Sequence, residues 1–223
     1  MKMRTTIALI FCALSLVAPV RPQQPQAQQS AAPATLPPLA PPRPGYDFPQ
    51  KLTLTYSVDW RVFTAGTAVV HFETDGPNEH LTATADTVGA INLLFHVSDH
   101  FQSIFDRSRG CTYEFNKQTV EGRRQVNASL KVDYAQSKST LDEKNVVTGQ
   151  TRHVETSVPG CITDLLTGVF YASSQDLQVG KSFIIPLVDA HRTLPVTMKV
   201  EGREEIKTSL GTFKTVRVQP TAG

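Results

Sequence analysis

Alternation of apolar and polar residues with a period of two dominates the chain from Phe48 onward and restricts what it can fold into. In the first run, Leu52, Leu54 and Tyr56 alternate with threonine and serine. A strand places successive side chains on opposite faces, so this pattern predicts strands with one buried face. The predicted strands cover residues 52–60, 67–74, 80–87, 124–134, 182–188, 193–200, 204–208 and 212–219, and further strands are expected through 101–105 and from 112–115 onward.

Short turn sequences separate these runs and indicate antiparallel pairing. Asp75-Gly76-Pro77-Asn78 and Glu121-Gly122 are typical turn sequences, and Gly202 and Gly211 are expected at turns between the last strands. Short strands at this spacing predict a mainly β fold. The expected architecture is an antiparallel sandwich or an open, curved half-barrel with one amphipathic helix packed on it.

One segment follows a helical period instead. Its apolar residues recur at i, i+3, i+4, i+7 and i+8, and the turn sequence Pro159-Gly160 precedes them. The pattern predicts an amphipathic helix over residues 162–170 that covers the open side of the sheet. The residues of this apolar stripe are Ile162, Leu165, Leu166, Val169 and Phe170.

The N-terminal part of the chain has the composition of an export signal followed by a spacer. A basic start and an apolar run too short to span a bilayer predict a signal peptide over residues 1–20, with cleavage left open between Ala18 and Ala27. Proline and glutamine dominate residues 21–49, which predicts a disordered linker before a domain over 50–223. The chain is therefore expected to be periplasmic or secreted, without a membrane span after cleavage.

The charge balance and the cysteines narrow the expectation further. Lys and Arg total 22 against 20 Asp and Glu, which argues against nucleic acid as a partner.

Cys12 lies inside the signal peptide, so Cys111 and Cys161 are the two cysteines that remain after export. An even count in an oxidising compartment predicts a disulfide between them.

Catalytic signatures are weak in this sequence. His96, Asp99 and His100 could bind a metal ion on a helix, but the alternation continuing through Phe101 favours a strand, which separates Asp99 from the two histidines. Asp164 fits a general base, but an acidic residue in a first helical turn is already explained by the helix dipole. The sequence predicts neither a catalytic residue nor a cofactor.

Several short motifs resemble a bacterial envelope family known as domain of unknown function 3108. The matching motifs are Leu54-Thr55-Tyr56, Ala65-Gly66-Thr67-Ala68, Val97-Ser98-Asp99, Cys161-Ile162-Thr163-Asp164-Leu165-Leu166, Val179-Gly180, Glu205-Ile206-Lys207-Thr208 and Gly211-Thr212-Phe213. The resemblance implies an exported β-rich module without an established activity, akin to half-barrels that carry lipids. It also implies that the chain is truncated at its C-terminus, because family members continue with further strand-like sequence.

The function expected from the sequence is that of a non-enzymatic envelope protein. An apolar ligand, such as a lipid, would lie in a cleft between the sheet and the helix stripe of Ile162, Leu165, Leu166, Val169 and Phe170. A structural module that binds an envelope protein partner is the first alternative. A metal-dependent hydrolase using His96, Asp99 and His100 is the second.

Overall fold

The computed structural model describes residues 36–158, 160–189 and 192–222. The predicted signal peptide and residues 21–35 of the predicted linker lie outside these described residues. Everything below concerns the unit that begins at Thr35, within the described ranges.

A large sheet holds eight strands, each antiparallel to its neighbour in chain order. Short connections explain this meander, because two to a few residues suffice to join antiparallel neighbours. The strands are β1 (Lys51–Trp60), β2 (Phe63–Asp75), β3 (Asn78–Thr87), β4 (Val97–Asp106), β5 (Thr112–Glu121), β6 (Arg124–Asp133), β7 (Lys138–Asn145) and β8 (Thr151–Ser157). A short helix, α1 (Gly89–Leu94), connects β3 to β4.

A small sheet contains the last three strands in the order β11-β10-β9. These are β9 (Ser182–Asp189), β10 (Arg192–Thr208) and β11 (Gly211–Ala222). The predicted turn at Gly202 is wrong, because β10 continues through this residue as one long strand. A register shift between Val200 and Gly202 absorbs the irregularity as a β-bulge, a common place for a glycine in a strand.

The predicted fold class is confirmed, since the described residues form open antiparallel sheets with few helices. Two details differ. The sequence predicts one helix, whereas α1 is a second, six-residue helix without a side-chain cap. Strands β7 and β8 were not predicted, because their charged residues obscure the alternation.

The main helix, α2 (Leu165–Ala172), begins three residues later than predicted. Asp164 ends the preceding extended segment and caps the helix, its Oδ1 accepting hydrogen bonds from the backbone N–H groups of Leu166 and Thr167 at 2.8 and 2.9 Å. Ile162, the predicted first residue, lies in that extended segment. There its carbonyl accepts a hydrogen bond from the Thr112 N–H at 2.9 Å.

The extended segment before α2, residues 160–164, joins the two sheets. On one side, Thr163 forms a parallel bridge with Leu187 of β9. On the side of the large sheet, the Tyr134 hydroxyl donates a hydrogen bond to the Thr112 carbonyl oxygen at 2.9 Å. The same hydroxyl lies 3.3 Å from the Ile162 carbonyl oxygen. The small sheet is thus attached to the large one through backbone pairing as well as side-chain packing.

Two clusters form the core. An aromatic cluster lies against the start of the large sheet and contains Phe48, Phe72, Leu81, Phe105 and Tyr171. An aliphatic cluster lies under the later strands and contains Ala128, Leu130, Val132, Leu141, Val158 and Ile162. Helix α2 contributes to the first cluster, while the extended segment contributes to the second.

Residues 36–49, predicted as the end of a disordered linker, instead pack on the domain. Phe48 is buried in the aromatic cluster, and Leu39 and Tyr46 pack against it. The Arg43 guanidinium donates hydrogen bonds to the carbonyls of Ser173 and Gln175 at 2.6 and 2.9 Å. Three large apolar side chains within a proline-rich stretch supply enough buried surface to order it.

The Asp164 carboxylate is the centre of a fully buried polar network. Its Oδ2 accepts hydrogen bonds from Ser103 of β4, Thr112 of β5 and Thr167 of α2, at 2.6 to 2.7 Å. All four residues have zero exposure. Such a carboxylate is tolerated in the interior only when its acceptor sites are filled, and here three hydroxyls and two helix N–H groups fill them.

The disulfide predicted from the sequence is present and joins Cys111 to Cys161 across 50 residues, with their Cα atoms 5.1 Å apart. Cys111 directly precedes Thr112, and Cys161 lies in the extended segment. The turn before Cys111 requires a glycine at position 110. Gly110 has φ +71°, and a Cβ atom there would overlap the Tyr171 ring. The bridge therefore fastens the extended segment beside the Asp164 network.

Asp164→Ala should strongly destabilise the protein, because it removes the buried acceptor of the Thr112 hydroxyl and of two helix N–H groups, and leaves Ser103 and Thr167 only their mutual hydrogen bond. We expect the free energy of unfolding in urea to fall by about 3 kcal/mol or more. Asp176→Ala is the control, since this exposed aspartate only pairs with Lys181 at the surface and should change stability by less than about 1 kcal/mol. Equal effects of the two substitutions would contradict the assigned role of Asp164.

Replacing Cys111 and Cys161 together by alanine should lower the free energy of unfolding by up to about 4 kcal/mol, the chain-entropy value for a loop of this length. Reduction of the unchanged protein should produce a comparable loss. Alkylation without reduction, followed by peptide mass mapping, checks the pairing. Recovery of both cysteines in alkylated form from the native protein would contradict it.

Asp106 should make the turn before Cys111 sensitive to acid. Burial alone would raise the pKa of Asp106, but hydrogen bonds from Ser108 and Arg109 and the Arg109 charge lower it to about 2. Because the folded-state pKa lies below the unfolded one, the stabilisation of about 2 kcal/mol is present at neutral pH and lost as pH falls from about 4 to about 2. Asp106→Asn should thus be destabilising in urea at pH 7, with the difference shrinking near pH 3. A constant difference would contradict this.

Candidate functional site

An apolar cavity of about 470 Å³ lies between the large sheet, α2 and the small sheet. All three elements contribute side chains to its wall. The large sheet supplies Phe101, Phe115, Lys117, Ala128, Leu130, Leu141 and Glu143; α2 supplies Leu165, Gly168 and Val169; the small sheet supplies Ile185, Leu187, Val188, Leu194, Val196, Met198, Pro220 and Ala222. The volume falls within the range of about 300–1,000 Å³ typical of small-molecule sites.

The strand register explains the wall formed by the large sheet. Phe115, Leu130 and Leu141 are cross-strand partners on β5, β6 and β7, so they form one apolar row. The next row on the same face contains Ala128, with Lys117 of β5 and Glu143 of β7 as its cross-strand partners on either side. These two charged residues form a polar margin to an otherwise apolar wall.

Helix α2 presents unpacked apolar side chains to the cavity. Leu165 and Val169 are one turn apart on the helix and are 58% and 64% exposed. Gly168 beside them allows close approach to β9, because a Cβ atom there would lie 3.2 Å from the Thr163 hydroxyl and 3.5 Å from a Leu187 methyl group. The helix is therefore held close to the small sheet while Leu165 and Val169 stay open to the cavity.

The structure divides the predicted ligand-binding stripe. Leu165 and Val169 line the cavity. Leu166 and Phe170 instead pack against the aromatic cluster, and Ile162 belongs to the aliphatic cluster. Each of these three side chains packs in the core, and none of them lines the cavity.

The small sheet supplies most of the lining that sequence reasoning missed. Leu194, Val196 and Met198 alternate along β10 and all contribute to the cavity. Their alternation was recognised as a strand signal, and it marks one face of that strand as apolar. The pattern does not reveal that this face lies opposite β5 and β6 and that a cavity remains between them.

The three residues of the predicted metal alternative are not brought together. His96 precedes β4 and its Nδ1 lies 2.6 Å from the Asn92 side-chain oxygen, while Asp99 accepts a hydrogen bond from the Val120 N–H. Burial raises the pKa of Asp99, which that hydrogen bond partly offsets. His100 is exposed on the other face of the strand. Within the described ranges, no group of three or more His, Cys, Asp or Glu side chains is arranged to hold a metal ion.

A buried carboxylate that the sequence did not single out is Glu79 on β3. Its side chain has zero exposure, and its Oε1 lies 3.4 Å from the Arg107 Nε. Burial raises the pKa of Glu79, and Thr74 and Arg107 partly offset the rise. Arg107 also lies 3.3 Å from the Phe48 carbonyl, so the pair sits beneath residues 36–49 and not at the cavity.

Three further observations bear on how the chain is classified. In the part of the chain that the structure describes, no helix is long and apolar enough to cross a membrane. No curated protein and no solved structure matches the chain. The family model described as "Protein of unknown function (DUF3108)" matches residues 55–223, which include both sheets apart from the first four residues of β1, α2 and all the residues that line the cavity. The chain therefore belongs to the DUF3108 family.

Proposed function

We propose that the protein is an exported, non-enzymatic binding protein that holds one apolar chain, such as the acyl chain of a lipid, in the cavity between its sheets. The observation that carries the proposal is the cavity itself. Its wall comes from three separate elements and is apolar except for Lys117 and Glu143. Such a site selects its ligand by apolar contact and excludes polar molecules by desolvation.

The size of the cavity supports a ligand over a packing defect. Protein interiors are close-packed, and voids larger than a water molecule are few. A cavity of about 470 Å³ with apolar walls on three sides offers contact surface that an acyl chain can bury. Burial of the chain against these walls would stabilise the complex.

The composition of the wall favours binding over catalysis. Lys117 and Glu143 are its ionisable residues, and neither forms an ion pair with another described residue. The carboxylate of Asp164, one residue before the cavity-lining Leu165, has its acceptor sites filled by the buried network and is not exposed to the cavity. A polar group of a ligand would find one positive and one negative partner at the cavity margin.

Export is supported by the N-terminal sequence and the disulfide. A basic start followed by a short apolar run is typical of signal peptides. Disulfides persist in oxidising compartments, and the bridge between Cys111 and Cys161 fits a periplasmic or secreted location.

A protein-binding module is the second candidate function, and the β10–β11 hairpin favours it. Ile206 and Phe213 are cross-strand partners near its tip, and both are exposed. An exposed apolar pair on a hairpin is a feature of partner-binding surfaces. This candidate predicts that substitutions at Ile206 and Phe213 impair function while cavity substitutions do not.

A bulky substitution in the cavity should abolish ligand binding. Val169→Trp places a larger side chain on the cavity-lining face of α2, at a position that is already exposed, so the fold should tolerate it. We expect the affinity for a fluorescent fatty acid to fall by about tenfold or more in displacement titrations with delipidated protein. The physical reason is steric exclusion of the chain from the apolar wall.

Val179→Trp is the matched control, since Val179 is similarly exposed but is not among the cavity-lining residues. It should leave the affinity unchanged, and both variants should melt close to the unmodified protein. Unmodified protein that binds no fatty acid, or equal losses in the two variants, would overturn the proposed function.

A further inference from the structure

One end of the large sheet carries a row of exposed apolar side chains. Because β1 to β8 run antiparallel in chain order, the β1–β2, β3–β4, β5–β6 and β7–β8 connections all lie at this end. We name it the apolar end, defined by Val62, Phe63, Leu93, Leu94, Phe95, Val146 and Val147. Val62 lies in the β1–β2 turn and Phe63 begins β2, Leu93 and Leu94 end α1 and Phe95 follows it, and the last two valines lie in the β7–β8 turn.

The exposure of these side chains is unusually high. Val62, Leu93 and Leu94 are 86%, 87% and 81% exposed. Isolated exposed apolar residues are ordinary on protein surfaces, but three turns at one end of a sheet each contribute two or more of them. Helix α1 buries none of its residues, so packing within the domain does not explain its two leucines.

The opposite end of the same sheet has a different character. Its connections contain Gly76-Pro77, residues 107–111 and residues 134–137. Among the described residues of these connections, no valine, leucine, isoleucine or aromatic side chain is highly exposed. The exposed apolar residues of the connections are thus concentrated at one end of the strands, and the opposite end is polar.

Basic residues accompany the apolar end. Arg61 lies at the tip of the β1–β2 turn, the β5–β6 turn holds Arg123, and Arg124 begins β6; Arg123 and Arg124 are exposed. Arg124 pairs with Glu121 at 3.0 Å, while Arg123 has no ion pair with any described residue. Two more acidic side chains lie near these turns: Asp59 accepts hydrogen bonds from Ser57 and Thr64, and Asp86 accepts one from Ser98. Arginines beside exposed leucine and phenylalanine are complementary to an anionic lipid surface.

The spacing of the turns fits contact with an extended surface better than it fits binding of one small ligand. Six strand spacings separate the first turn from the fourth, about 30 Å along the sheet. A row of separate apolar side chains over this distance matches a bilayer interface, into which each can insert independently. We propose that the apolar end docks on the surface of a membrane containing anionic phospholipid, with Val62, Phe63, Leu93 and Leu94 entering the interface.

This docking goes beyond the proposed ligand binding and does not depend on it. The register does place the polar margin of the cavity, Lys117 and Glu143, two residues nearer to the apolar end than Phe115 and Leu141. In a docked molecule, Lys117 and Glu143 would therefore lie between the membrane and the apolar part of the cavity wall. The two sites can still be tested separately, because they share no residues.

Vesicle flotation tests the docking directly. The protein should float with vesicles of phosphatidylcholine and phosphatidylglycerol, and bind more weakly to phosphatidylcholine alone. Leu93→Ser combined with Leu94→Ser should reduce binding about tenfold, because each leucine loses its apolar burial in the interface. Arg123→Gln combined with Arg124→Gln should remove most of the preference for the anionic vesicles.

Val179→Ser combined with Leu210→Ser is the matched control, since both residues are exposed but lie outside the large sheet. It should bind vesicles like the unmodified protein. The Leu93 and Leu94 variant should keep its melting temperature and its affinity for the fluorescent fatty acid, which separates this proposal from the proposed function. Failure of the unmodified protein to bind either vesicle, or equal losses in the control, would overturn the docking.

Discussion

The buried Asp164 carboxylate is the interaction on which the arrangement of this domain depends. It is hydrogen-bonded to two strands of the large sheet, through Ser103 and Thr112, and to the first turn of α2. A carboxylate removed from water is stable only with such partners, so the position of the helix relative to β4 and β5 is strictly defined. The disulfide at Cys161 acts beside it and fixes the same extended segment by a covalent bond.

The position of α2 in turn determines the cavity. From the capped end of the helix, Leu166, Phe170 and Tyr171 enter the aromatic cluster, while Leu165 and Val169 are left facing the open space. The extended segment before the helix pairs with β9, so the small sheet is held at a fixed position over β5 to β7. The cavity is thus a consequence of where three elements are fastened, and it needs no special backbone conformation within its wall.

Sequence patterns predicted the fold class, the disulfide and the helix, because each depends on local periodicity or on a count of residues. They failed where tertiary contacts decide. Phe48 orders a proline-rich stretch only because an aromatic cluster exists to receive it, and Gly202 becomes a bulge only because β11 pairs with β10 on both sides of this residue, from Val196 to Thr208. The same limit applies to the site: periodicity placed five residues on one helix face, but the neighbours of Ile162, Leu166 and Phe170 assign these three to the core.

The most direct test of the account is to locate a bound chain by nuclear magnetic resonance. With an isotope-labelled fatty acid, intermolecular Overhauser effects report methyl groups in direct contact with the chain. We predict such effects to Val169, Leu194 and Met198, which line the cavity, and none to Leu166, which lies on the core side of the same helix. Effects confined to surface groups such as Leu210 or Val147, or absent altogether, would contradict the claim that the space between the sheets is a ligand site.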